Sequence, residues 1–248
     1  MRTFRLGVVT ALAVVSTATF AQVLVVPGAQ ENAEGNSNNG FPFNYTGFNS
    51  NLNAQRYQQV YGADAFNTGP ILITGISFRP DAGSGNPFNA VLPSILIRMS
   101  TTSMAVDGLS STFSANIGAD ETTVRSGALS ISSADTGPAG GPKNFDIFIP
   151  FTTSFLYDPS QGNLLMDVLG IGSTISTFFD AQNTTGDAIS RVFTFSNNPF
   201  GDIGDQARTD GLITQFHFES VEAVPEPATF ALMGMGALAY LKRRKKQK

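Results

Sequence analysis

The chain has 248 residues, 42% hydrophobic and 14% charged, with a formal net charge of −4. This is enough apolar material for one domain with terminal extensions, and it excludes a disordered chain and a polytopic membrane protein. With no Cys and one His the chain lacks disulfide frameworks, thiolate nucleophiles, multi-His metal sites and most Ser–His catalysis, while 25 Gly, 13 Pro and 21 Phe without any Trp suit short strands and tight turns.

At the N-terminus, Arg2 and Arg5 precede an apolar run of ten residues, Leu6 to Val15, and small residues lead up to Ala21. A membrane-spanning helix needs about 20 apolar residues. Residues 1–21 are therefore expected to be a secretory signal peptide cut after Ala21, with an uncleaved anchor as the alternative. Export without cysteine means that packing, not cross-links, must hold the domain together. Residues 22–50 read as a flexible approach, because Asn36-Ser37-Asn38-Asn39-Gly40 and its surroundings favour loop over regular structure.

The body, 51–222, alternates short apolar runs with turn clusters. Ile71 to Phe78, Ile95 to Met99, Phe145 to Phe151, Leu164 to Leu169, Val192 to Ser196 and Leu212 to Val221 have strand length, and several alternate with period two. Ile95, Ile97 and Met99 share one face with Arg98 opposite. In the last run Phe216 and Phe218 point inward and Gln215, His217 and Glu219 outward. Turn clusters at Pro80–Gly85, Asp135–Pro142 and Asp158–Gly162 separate the runs. The pattern predicts an all-β domain, an antiparallel β-sandwich or jelly roll. Only Asn53–Gly62 offers a turn or two of helical pattern, and Arg56 to Gly62 reads equally as an edge strand.

Carboxylates are the only abundant reactive groups. A glycosidase would need two of them held about 5–9.5 Å apart; Asp64, Asp146 and Asp167 lie in or beside apolar runs, whereas most of the others sit in turn contexts such as Asp107-Gly108. No catalytic motif is present, and the domain is not expected to be an enzyme. Asp202, Asp205 and Asp210 crowd a glycine-punctuated loop and are candidate Ca²⁺ ligands, although their spacing matches neither an EF-hand nor a nonapeptide repeat; a solvated acidic turn is the competing reading. No other cofactor is expected. His217, alone between Phe216 and Phe218, reads as a sheet-surface residue. Sugar sites stack flat aromatics against the ring, and Tyr57 and Tyr61 are the best platform for such contact in a chain without Trp.

The C-terminus carries three instructions in a row: Val224-Pro225-Glu226-Pro227, a 14-residue apolar run from Ala228 to Leu241, and the cations Lys242, Arg243, Arg244, Lys245, Lys246 and Lys248. Two prolines keep the first segment extended and accessible to a protease. The run would make a helix about 21 Å long, short of a bilayer core of about 30 Å, with snorkelling lysines closing part of the gap. The basic block keeps this end in the cytoplasm and turns the body outward.

This ordered triplet resembles the PEP-CTERM sorting signal of exported bacterial proteins. The resemblance covers 224–248 and says nothing about the body. It implies a precursor anchored in the inner membrane by a C-terminal helix, an exosortase-type enzyme that cuts near Pro-Glu-Pro, and delivery to the cell surface or beyond. It also brings exopolysaccharide into consideration as a partner, because the sorting family is associated with exopolysaccharide producers. The reading is thus an exported surface or matrix protein with a structural or adhesive β-sandwich, the alternatives being a carbohydrate-binding module and a carboxylate-dependent glycosidase. Between the two terminal signals, seven cations face 18 acids, so the body carries about −11. Such a surface repels nucleic acid and either attracts divalent cations or keeps the protein soluble.

Overall fold

A computed structural model describes residues 21–43, 54–173, 175–194 and 199–221. Signal peptide residues 1–20 and the sorting tail 224–248 lie outside the described residues. The strands are β1 (Gln22–Val26), β2 (Ser37–Asn39), β3 (Ala54–Tyr61), β4 (Ile71–Phe78), β5 (Phe88–Thr102), β6 (Thr122–Ser133), β7 (Ile147–Tyr157), β8 (Asn163–Ile171), β9 (Phe179–Asn183), β10 (Ile189–Phe193), β11 (Gln206–Arg208), β12 (Asp210–Leu212) and β13 (Thr214–Ser220). Among the described residues there is no α-helix, and no helix is long and apolar enough to cross a membrane.

All pairings are antiparallel, in three sheets ordered β1-β13-β4-β7, β11-β10-β3-β8-β5-β6 and β12-β9-β2. The chain is therefore all-β, as its periodicity predicts. One apolar core joins the sheets in a sandwich-like arrangement. The Tyr61 ring of the six-stranded sheet meets Phe216 of the four-stranded sheet edge-on at 4.9 Å, and its hydroxyl is paired with Thr214 Oγ1 at 2.9 Å. Phe66 packs between Tyr157 and Phe216, 4.9 and 5.2 Å from their ring centres. In β5 the register shifts between Leu92 and Ile95, which places Pro93, unable to donate to a ladder, at an irregularity.

Two expectations are corrected. Residues 22–50 are not simply a flexible approach: β1 pairs with β13 over its whole length and β2 pairs with β9. The cause is Arg79, whose buried Nη2 donates to the carbonyls of Gln30 at 2.9 Å and Ala33 at 2.6 Å and so ties this segment to the end of β4. Of the stretch Asn53–Gly62, the described residues 54–62 are neither helix nor edge; β3 lies inside the six-stranded sheet between β10 and β8. Its alternation is hidden because both faces are covered. Tyr57 and Tyr61 face the main core, while Val60 joins Leu165, Val192, Leu109 and Phe113 in a second apolar cluster.

Candidate functional site

Interior charge in this domain is concentrated in three arginine–aspartate assemblies, each built by residues distant in sequence. In the first, Asp167 of β8 accepts from Arg56 Nε at 3.2 Å and Nη2 at 2.7 Å, from Arg98 Nη2 at 3.1 Å and from Gln58 Nε2 at 3.2 Å. Register explains the meeting: Gln58 and Arg98 are the residues opposite Asp167 on its two neighbouring strands. Asp167 is thus occupied as a counter-ion. Asp64 lies in a short 3₁₀ turn, and Asp146 accepts the Ala134 N–H at 2.9 Å ahead of β7.

The second assembly joins Arg79 to Asp180, with Nε 2.8 Å and Nη2 2.7 Å from Oδ2, while Asp180 Oδ1 accepts the Gly35 N–H at 3.0 Å. Carboxylate oxygens of Glu34, Asp81 and Asp180 lie within 4.8 Å of one another here, beside a cleft of about 400 Å³. Three acids around one guanidinium carry excess negative charge. Burial raises Glu34, and burial together with Glu34 pushes Asp180 up to about 7 against the pull of Arg79.

The third assembly lies where the six-stranded and three-stranded sheets meet. Arg191 of β10 stands opposite Gln59 on one side and Arg208 on the other. It is 4% exposed, donates through Nη2 to Asp210 Oδ2, and lies over the Phe193 ring at 4.5 Å. Arg208 Nε reaches Asp210 Oδ1 at 2.9 Å, so two guanidinium groups share one carboxylate. Arg191 Nε and Nη1 are buried and have no acceptor. Two clefts open on this pair, of about 190 and 110 Å³, both lined by Arg191 and Arg208.

The structure separates the candidate calcium ligands. Asp210 is buried between the two arginines, whereas Asp202 accepts from the Ser114 N–H at 2.8 Å and from the Ser114 hydroxyl at 2.5 Å. Among the described residues only Glu34, Asp81 and Asp180 form a carboxylate trio, so Asp202, Asp205 and Asp210 do not form the expected site. Tyr57 and Tyr61 are also corrected as a sugar platform: both are 0% exposed, and their hydroxyls are engaged by Gln59 and Thr214. His217 is half-buried on the outer face of its sheet, with Nε2 2.8 Å from Ser77 Oγ and the Phe148 ring 4.7 Å away; burial lowers its pKa.

Residues 223–246 match the PEP-CTERM protein-sorting motif. The matched stretch takes in Val224, Pro225, Glu226, Pro227 and the cations as far as Lys246, and it supports an exported protein processed by exosortase from a membrane-anchored precursor. No curated protein matches the chain. Among solved structures, a chain from "Structure of infectious bursal disease virus Gx strain" is similar at 9% identity and a TM-score of 0.17, over 90% of this chain. This chain spans about half the length of the viral one (49%), and a likeness of this size carries no argument.

Arg79, Asp180 and Arg191 belong to no motif. The available signal was local: Asp180 stands between Phe179 and Ala181, and Arg191 between Ser190 and Val192, charges set in otherwise buried strands.

Proposed function

We propose that this chain is an exported cell-surface or matrix protein whose β-sandwich has a structural or adhesive role, and whose tail holds the precursor in the inner membrane until an exosortase cuts near Pro225-Glu226-Pro227. The observation that carries the reading is the position of the last strand. β13 ends at Ser220, five residues before Pro225, and lies inside a sheet between β1 and β4. Among the described residues, cutting at Pro-Glu-Pro therefore removes no strand and no core residue. The body is not an enzyme in this reading: Asp167, Asp180 and Asp210, its buried acids in strands, serve as counter-ions to arginines.

Fractionation and intact-mass measurement test the sorting. Deleting Val224–Lys248 should release the body from the membrane fraction, and Glu226→Ala should leave it anchored and unprocessed. Surface-displayed wild-type protein that still carries Lys248 would overturn the reading. A second reading, recognition of exopolysaccharide, draws support from the arginine-lined cleft rather than from Tyr57 and Tyr61.

A further inference from the structure

Among the described residues several buried polar atoms lack a partner, Arg98 Nε and Arg125 Nε included, but of these guanidinium groups Arg191 lacks one at two nitrogens. Arg79, equally buried, spends its nitrogens on Asp180 and on the carbonyls of Gln30, Glu31 and Ala33. Arg191 spends Nη2 on Asp210 and has Tyr57 as a further partner, while Nε and Nη1 have no acceptor. A buried donor without a partner costs about 1–3 kcal/mol, and more on a charged group, so a cation in this state needs an acceptor from outside the chain. The charge balance gives the same sign: Arg191 and Arg208 share one carboxylate, which leaves one positive charge uncompensated in a body that is otherwise strongly acidic.

The surroundings set the size and type of occupant. The larger cleft, about 190 Å³, brings Asn38, Phe41, Phe193 and Asp210 around the two guanidinium groups. Phe41 and Phe193 give it an apolar wall, their rings 5.0 Å apart, and Asn38 and Asp210 add polar groups able to bind hydroxyls. Arg208 is half exposed and stands at the rim, placed to meet a ligand on entry. The net negative charge of the body disfavours a polyanion, so a ligand with one negative charge fits best. Guanidinium groups bind carboxylates and phosphates alike, and of these a carboxylate carries a single charge where a phosphomonoester carries about −1.5 to −2.

We propose that the cleft between β10, β11 and β2 is a binding site for a monocarboxylate of about one sugar ring, with Arg191 as the buried anchor and Arg208 as the rim contact. Its occupant is a free hydroxylated carboxylate or a single uronate of a saccharide; the carboxylate recognition is the same for both. The site is independent of the sorting reading, because it would bind whether or not the tail is cut.

Calorimetric titration and thermal shift on the full chain in detergent test this, with sodium glucuronate, glucose, sodium acetate and cellobiouronate, a disaccharide with a single uronate, as probes. Glucuronate should bind saturably and raise the melting temperature, while glucose, the neutral ring, should bind at least tenfold more weakly. Acetate equal to glucuronate would support a site that reads the carboxylate alone. Cellobiouronate tighter than the monomer would support a saccharide source, and monomer tighter than disaccharide a free acid. Arg191→Lys risks the fold, so Arg208→Gln is the decisive variant: it should weaken glucuronate at least tenfold while the unliganded melting temperature shifts by no more than about 2 °C. Equal binding of glucose and glucuronate, no binding of either acid, or full glucuronate affinity in Arg208→Gln would overturn the proposal.

Discussion

Gln59 is bonded to Leu212 as if its side-chain amide were a further strand: Nε2 donates to the Leu212 carbonyl at 2.8 Å, and Oε1 accepts the Leu212 N–H at 2.8 Å. The two residues belong to different sheets, and both are fully buried. One side-chain amide thus bonds both backbone groups of Leu212 across the sandwich, while β12 pairs with β9 on its own sheet.

Replacing Gln59 with Leu keeps the volume but leaves the Leu212 N–H and the Tyr57 hydroxyl without partners, while the Leu212 carbonyl keeps the Thr214 hydroxyl at 3.0 Å. The expected cost is about 2–4 kcal/mol, from two orphaned donors in the interior. Urea unfolding of the variant measures it. A loss under about 0.5 kcal/mol would show that the bridge is replaceable by water.

Asp167 neutralises Arg56 and Arg98 together. Asp167→Asn should therefore destabilise by about 3–5 kcal/mol, since it leaves Arg56 without its carboxylate at a partly buried site and Arg98 with Glu121 alone. Glu121, which meets Arg98 at 3.2 Å with a third of its side chain exposed, should cost less than about 1 kcal/mol as Glu121→Gln. Comparable losses in the two variants would refute the difference in burial on which this rests.

Asp187 supplies a pH test. Burial, with Asp107 nearby, raises its pKa to about 6 despite the Ile189 N–H bond. An acid raised in the folded state binds its proton more tightly there than in the unfolded chain. Its contribution is most favourable below about pH 4 and is lost as pH rises to about 6. Asp187→Asn lacks this loss, so its melting temperature relative to wild type should climb between pH 4 and 7. The gain should stay near 1 kcal/mol because the group is partly solvated. A difference that is flat with pH would remove the case for a raised pKa.

Gly35 reports on the docking of the N-terminal segment. A Cβ there would collide with the Ala181 carbonyl and come 2.7 Å from Asp180 Oδ1. Gly35→Ala should cost about 1–3 kcal/mol and speed hydrogen exchange in β2, whereas Gly28→Ala, with nothing within 4 Å, should be neutral. Unchanged exchange at Ser37–Asn39 would mean that the segment yields without strain.

The strands that were legible in the sequence are those whose two faces differ. Ile71–Phe78 alternates in hydrophobicity and forms β4 with those bounds, and Phe216 and Phe218 point inward against His217 and Glu219 as their phase requires. The turn clusters fall between strands for the same local reason, because Gly, Pro and Asp set backbone conformation without help from distant residues. β6 was hidden by its Ser- and Thr-rich outer face, although Val124, Leu129 and Ile131 are buried, and β3 by burial of both faces.

By itself the sequence determined the sorting motif and the fold class: tail motif and all-β body are set by contiguous residues whose hydrophobicity, charge and turn chemistry act locally. Tertiary structure decided the rest. Arg79 finds Asp180 101 residues away, Arg56 finds Asp167 111 away, and Arg191 is left short of acceptors by the meeting of two sheets. Pairing across such separations depends on strand register and sheet order, which the local pattern does not encode. The interior guanidinium groups, and with them the cleft, therefore became visible only once the sheets were assembled.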